Sequence, residues 1–293
     1  MTAVCGVVLA AGEGRRLRPL TELVPKALCP VGNVPLLDHA LHRLAGLRLS
    51  GPADVAVNAA YLADQVAAAA RDRAHVSWER DGPLGTAGGI GHLKRWIDGR
   101  GALVGNADAY LADPGREPGA DVAAMLDGWA GDTVRMLTLP VPPGDTGGFS
   151  GRRFAGFSLL PWRYVRDLPA EQGDLVSSVW RPAEAAGDLE LIAYDGVYAD
   201  TGTPADYLRA NLHAASGGTL VDASATVSGR AECCVIGAHA VVAGTAARCV
   251  VWPGAQVRAD EQLSDAIRAS GPLTVAADSM GPIKPLGQLR SPR

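Results

Sequence analysis

Residues 4–10 form a near-continuous apolar run, the pattern of a strand covered on both faces. Leu36, Leu37, Ala40, Leu41, Leu44 and Leu47 then recur at helical spacing. Residues 54–58 predict a second strand and 61–73 an alanine-rich helix. Further strands are predicted over 74–79 and 102–107, with a helix over 89–97 between them. Residues 134–141, 154–160 and 190–194 complete the strand candidates. This alternation predicts an α/β fold, a Rossmann-like, mostly parallel sheet with helices on both faces. Such sheets take ligands at the carboxyl ends of their strands, where Gly12, Asn58 and Asp108 all fall.

The texture changes after about residue 216. Small residues and valines recur in short steps, as in Val235-Ile236-Gly237-Ala238 and Val250-Val251-Trp252-Pro253-Gly254-Ala255. They have the look of hexapeptide repeats winding a short left-handed parallel β-helix, with room for three coils before about Arg268. A few irregular strands packed on the preceding domain are the plain alternative. Residues 271–293 carry Pro272, Pro282, Pro285 and Pro292 and are expected to trail as an extended tail. The chain is thus expected to divide into 1–216, 217–270 and 271–293.

Bulk properties narrow the function classes. At 293 residues the chain can bury a large core and a smaller one. A formal net charge of -4 argues against a general nucleic-acid binder, so any cationic site must be local. No apolar stretch reaches the length of a membrane span, and no basic segment precedes the first apolar run. The cytoplasm is therefore the expected compartment. Five cysteines without C-x-x-C spacing point to reduced thiols rather than a structural zinc site.

The chemistry gathers behind the first strand, in the run Leu9-Ala10-Ala11-Gly12-Glu13-Gly14-Arg15-Arg16-Leu17-Arg18. A G-x-G loop in this place can turn backbone N–H groups toward phosphate oxygens. Arg15, Arg16 and Arg18 need anions to neutralise them, although a solvated basic turn is the ordinary meaning of such a cluster standing alone. Lys26, between Pro25 and an apolar segment, is placed to reach the same phosphates. Asp108 and Asp200 each stand near the end of a predicted strand, where a carboxylate can bind a divalent metal or serve merely as a turn residue or helix N-cap.

Residues 9–21, followed by Pro25-Lys26-Ala27-Leu28-Cys29-Pro30-Val31, resemble the signature of sugar-1-phosphate nucleotidyltransferases. Four more segments agree in order: Val57-Asn58 with 61–65, Pro83-Leu84-Gly85-Thr86-Ala87-Gly88-Gly89, Val104-Gly105-Asn106-Ala107-Asp108, and Tyr198-Ala199-Asp200-Thr201-Gly202-Thr203-Pro204 with Tyr207 and Ala210-Asn211. The resemblance implies an enzyme that moves a nucleotidyl group from a nucleoside triphosphate to a sugar 1-phosphate and releases pyrophosphate. It implies Arg16 on the triphosphate, Lys26 on the α-phosphate, and Asp108 and Asp200 as ligands of Mg²⁺. Leu9, Ala10, Ala11, Gly12, Glu13, Gly14, Arg15, Asn58, Gly85 and Thr86 complete the implied nucleotide site, and Asn106 belongs to the sugar phosphate. The partners are small molecules, with no nucleic acid and no membrane, and the short β-helix suits a subunit contact in a homo-oligomer.

Two departures stand out. Arg15 occupies a position that is usually threonine in this family. Between 139 and 154 many relatives carry a Glu-Lys-Pro segment that grips the sugar and its phosphate; this chain instead has Asp145-Thr146-Gly147-Gly148-Phe149-Ser150-Gly151-Arg152-Arg153. Arg152 or Arg153 is expected to supply the missing cation, with Gly156 allowing close approach of the sugar. The 83–88 loop looks most like guanylyltransferases acting on mannose 1-phosphate, while uridylyl, thymidylyl and adenylyl enzymes carry related loops. A non-catalytic subunit sensing sugar nucleotides and an acyltransferase using His239 are the rival classes.

Overall fold

The computed structural model describes residues 3–142 and 147–277, so Asp145 and Thr146 lie outside the described residues. Described residues of 1–13, 25–27 and 37–197 make one compact unit, and those of 14–24, 28–36 and 198–293 make another. The segment carrying Arg16 and the segment just after Lys26 therefore belong with the C-terminal half of the chain.

The first unit is built on a seven-stranded sheet. Its strands are β1 (Val4–Leu9), β2 (Val55–Ala59), β3 (His75–Trp78), β4 (Gly101–Asn106), β5 (Val134–Pro140), β6 (Arg152–Leu160) and β7 (Leu189–Ala193). Their spatial order is β7-β5-β6-β4-β1-β2-β3. Every pairing is parallel except those of β6, which runs antiparallel to both β4 and β5. Each of these strands lies within two residues of its sequence expectation, and the inner strands β1, β2 and β4 are buried on both faces and apolar almost throughout.

Helices cover both faces, for a reason visible in β1. Side chains alternate along a strand. Cys5 and Val7 join a core cluster with Ile90, Leu93 and Ile97 of α3 (Gly85–Ile97). Gly6 faces the other way, where a Cβ would sit 2.7 Å from Leu44 in α1 (Leu36–Gly46). Helix α2 (Ala63–Ala70) connects β2 to β3 and is shorter than expected at both ends. Helix α3 begins four residues earlier than its pattern predicts, so Gly85 to Gly89 are helical rather than loop. Helical glycine is unfavourable by about 1 kcal/mol, which hides the first turns from a propensity reading.

The chain leaves β1 for β2 and β3 on one side and later returns to β4 on the other. Strand order reverses at β1, and the crevice outside the carboxyl ends at such a reversal is where open α/β sheets bind ligands.

In the second unit, Pro30–Val31 and Val34–Pro35 pair as a tight antiparallel hairpin. Gly32 (φ 60°) and Asn33 (φ 66°) supply the two positive φ values its turn requires. Helix α4 (Pro204–Ala214) starts with Thr203 accepting a hydrogen bond from the Asp206 N–H and Pro204 in the first turn. Three parallel strand stacks follow from Leu220, forming the expected short β-helix rather than irregular strands. Leu220, Val235 and Val250 share one register and stand 15 residues apart. The six-residue step recurs from Leu220 to Thr226 and from Val235 to Val241, while the other sides are shorter. Thr274–Ala276, placed by sequence in the trailing tail, pairs antiparallel with Ala266–Arg268 and closes the last coil. Residues 278–293 of that tail lie outside the described residues.

Candidate active site

In the first unit, Leu9 stands in register with Asn58 of β2 and Asn106 of β4, a row of three at the carboxyl edge beside the strand-order reversal. The loop after β1 is fastened there. Asn58 is 2% exposed and accepts from the Ala10 N–H through Oδ1 at 2.7 Å, while the Ala107 N–H donates to the Leu9 carbonyl at 3.0 Å. A Cβ on Gly12 would meet nothing within 4 Å, so the loop presents bare backbone to open space. That is the surface a phosphate needs for close approach to N–H groups.

Lys26 and Asp108 come together in the same unit. The Lys26 ammonium donates to Asp108 Oδ2 at 2.9 Å, with the lysine side chain 8% exposed and the aspartate 44% exposed. A buried ammonium is held by a carboxylate whose remaining surface is open to an incoming ligand.

Arg16 and Asp200 meet in the second unit. Arg16 Nη2 lies 3.4 Å from Asp200 Oδ2, and both side chains are well exposed. Gly14 takes the left-handed conformation (φ 61°), and its carbonyl accepts from Thr21 Oγ1 and the Leu17 N–H, which sets the turn carrying Arg15 and Arg16. Gly202 leaves room for the pair: a Cβ there would lie 2.6 Å from Arg16 Nη2 and 2.9 Å from Asp200 Oδ1. The hairpin that follows Lys26 in sequence is anchored by Tyr207 and Asn211. The Tyr207 hydroxyl donates to the Pro30 carbonyl, Asn211 Oδ1 accepts from the Gly32 N–H at 3.0 Å, and Trp252 Nε1 donates to the Tyr207 hydroxyl at 3.0 Å.

Several of the expected contact residues also have structural partners. Gly85 (φ 75°) packs against backbone: its Cβ would sit 2.3 Å from the Gly173 carbonyl oxygen, and Gly88 and Gly91 meet Glu171 and Pro169 carbonyls as tightly. The Thr86 hydroxyl accepts from the Leu175 N–H at 2.9 Å. This glycine-rich turn therefore seats α3 on residues 168–175, where the Ser177 N–H and hydroxyl hold the Asp174 carboxyl below its ordinary range. Arg152 is half-buried and ties β6 to β5, donating to the Thr138 hydroxyl at 2.7 Å and the Thr138 carbonyl at 3.0 Å. Arg153 is exposed on the opposite face of β6. Gly156 has φ 86°, near the irregularity between β5 and β6. Sequence reasoning missed Glu79, 5% exposed, which accepts from Asn58 Nδ2 at 2.7 Å and the Leu84 N–H at 2.8 Å.

Residues 6–139 match the MobA-like NTP transferase domain. The nucleotidyltransferase resemblance holds. The chain is 28% identical over 238 residues to a mannose-1-phosphate guanylyltransferase of Mycobacterium tuberculosis, covering 70% of this chain and 63% of the relative. It is 37% identical over 138 residues to an N-acetylmuramate alpha-1-phosphate uridylyltransferase of Caulobacter vibrioides, 44% of this chain and 54% of the relative. The matched span is thus less than two thirds of either relative's length. A solved structure from Thermus thermophilus, described as a mannose-1-phosphate geranyltransferase, shares the nucleotidyltransferase-type fold with TM-score 0.64 and 21% identity, over 94% of this chain and 95% of that one. No helix among the described residues is long and apolar enough to cross a membrane.

Proposed function

We propose that this chain transfers a nucleotidyl group from a nucleoside triphosphate to a sugar 1-phosphate, forming an NDP-sugar and releasing pyrophosphate. The observation that carries the proposal is the Lys26–Asp108 pair beside the bare-backbone loop at the strand-order reversal. The sugar phosphate is already an anionic nucleophile, so the reaction needs no general base. A bond forms from its oxygen to the α-phosphorus as the bond to the β-phosphate oxygen breaks. The obstacle is charge: two unit charges 4 Å apart repel by about 4 kcal/mol at an effective dielectric near 20. Arg16 and Lys26 neutralise the triphosphate, Lys26 by exchanging Asp108 for the α-phosphate.

Asp108 and Asp200 are the carboxylates assigned to Mg²⁺. Among the described residues no three His, Cys, Asp or Glu side chains cluster as a metal cage. Single carboxylates fit an ion that keeps its waters and takes substrate phosphate oxygens as further ligands. When bound, Mg²⁺ supplies charge neutralisation on the phosphates. Asn106, Gly156 and Arg153 are assigned to the sugar phosphate, with Arg152 holding β6 in place for them. The working division of the chain keeps 1–216 as the catalytic part, and the β-helix as the contact in a homo-oligomer, which light scattering tests. The cytoplasm is its working compartment.

GTP and mannose 1-phosphate are the first substrates to try, favoured by the 83–88 loop and the relative from M. tuberculosis. UTP with an amino-sugar acid phosphate is the second pair, favoured by the relative from C. vibrioides. A pyrophosphate-release panel of four ribonucleoside triphosphates and dTTP, crossed with several sugar 1-phosphates, tests both. Turnover of one pair supports the proposal. Tight nucleotide binding without turnover of any pair would replace it with a sensor.

A further inference from the structure

We infer that Glu79 is a positioning residue that locks the phosphate loop to the turn opening α3, through Asn58. The inference rests on the nucleotidyltransferase reading and names a part of that site which the motif pattern does not include. Three bonds make a continuous relay: Ala10 N–H to Asn58 Oδ1 at 2.7 Å, Asn58 Nδ2 to Glu79 Oε1 at 2.7 Å, and Leu84 N–H to Glu79 Oε2 at 2.8 Å. Its ends lie 74 positions apart in sequence, one in the loop after β1 and the other at the N-cap of α3.

The polarity of the relay is determined along its length. The Ala10 N–H can only donate, so the Asn58 oxygen must face it and the Asn58 amide nitrogen must face Glu79. The Leu84 N–H also donates to Glu79, which therefore receives two donors, one on each oxygen. Only an acceptor on both oxygens satisfies that environment. A glutamine would turn its NH₂ toward one of them and leave two donors facing each other in a buried place. Gly89 keeps the space open, since a Cβ there would sit 2.7 Å from Asn58 Nδ2 and 2.9 Å from Glu79 Oε1. Asn58 and Glu79 are 2% and 5% exposed and the bond between them is buried, while the Leu84 end is part-buried. A nucleoside triphosphate that spans the phosphate loop and the α3 turn uses both at once, and the relay sets their spacing before the nucleotide arrives.

The polarity can be inverted without changing net charge. In the Asn58→Asp, Glu79→Gln double variant, Asp accepts from the Ala10 N–H and from the new Gln NH₂, while the Gln carbonyl accepts from the Leu84 N–H. Calorimetric titration with each of the four ribonucleoside triphosphates and dTTP, in Mg²⁺, is compared for wild type, both single variants, the double variant and Gly89→Ala. Each single variant is expected to weaken nucleotide binding by about tenfold or more, the cost of one buried unmatched donor or acceptor. The double variant is expected to return to within a few-fold of wild type. In the pyrophosphate-release assay, Gly89→Ala, which removes no hydrogen-bonding group, is expected to raise the nucleotide KM while leaving the sugar 1-phosphate KM unchanged. Wild-type affinity in Glu79→Gln overturns the inference, as does a folded double variant that binds no better than the weaker single. If the single variants do not fold, the double variant and Gly89→Ala still decide. A wild-type chain that binds none of the nucleotides defeats the nucleotidyltransferase reading itself, a different result from unchanged binding in the variants.

Discussion

The two cation–carboxylate pairs are alike in composition and unlike in surroundings. Lys26 is almost wholly buried against a half-exposed Asp108 at 2.9 Å, whereas Arg16 and Asp200 meet at 3.4 Å with 69% and 49% of their side chains exposed. An exposed pair contributes at most about 1 kcal/mol and is screened by salt. A buried ammonium deprived of its partner is costly, so it must be offered another anion when the first is drawn away. The first unit thus holds a buried cation–carboxylate pair, and the second holds an exposed one. That difference suits the proposed roles, Lys26 on the reacting phosphate and Arg16 on the rest of the triphosphate.

The largest effect that sharpens this contrast is expected at Asp108. Asp108→Asn should abolish Mg²⁺-dependent pyrophosphate release, a loss of at least about a thousandfold, the upper range for removing one electrostatic group. Retained activity would break the metal assignment. Next come the cations. Lys26→Met should lower kcat by about a hundredfold and do so equally at low and high salt. Arg16→Ala should act on the nucleotide KM, by about tenfold at low ionic strength and less above about 0.1 M salt, where the Debye length is near 10 Å. Equal salt sensitivity in the two variants would erase the distinction between the pairs.

Smaller effects probe the supports. Gly202→Ala places a methyl 2.6 Å from the flexible end of Arg16. It should raise the nucleotide KM a few-fold and leave kcat within about twofold, because the side chain swings aside at modest cost. The smallest effect concerns the seat of α3. Asp174 has its folded-state pKa lowered by the Ser177 N–H and hydroxyl. A lowered carboxylate pKa adds stability above the unfolded value, near about 3.9 for aspartate, and loses it as pH falls through the folded value. Ser177→Ala should therefore unfold at slightly lower temperature than wild type near neutral pH, and the gap should close in acid.

The centre of the sheet was legible because β1, β2 and β4 are apolar and buried on both faces, and the residues at the strand-order reversal followed from where those strands end. The β-helix was legible from its short valine steps, although its 15-residue coil was not, since two of its sides are shorter than six residues. Gly85 and Gly88 read as a ligand loop, and the structure adds a packing reason for them, since their missing side chains accommodate the carbonyls of Gly173 and Glu171. No local pattern distinguishes a glycine facing a ligand from one facing backbone. Arg152 read as a phosphate cation, and a partner 14 positions away on the neighbouring strand engages its guanidinium. Glu79 was silent for the opposite reason: its two partners are a backbone N–H and an amide 21 positions upstream, and neither leaves a spacing signature.

The most direct test follows the α-phosphorus. With a triphosphate labelled at that atom, a sugar 1-phosphate and Mg²⁺, the account predicts that the label appears in an NDP-sugar in equal molar amount to the pyrophosphate released, and that chelating the metal stops both. Label retained in the triphosphate, or a terminal phosphate moved to the sugar instead, would contradict it.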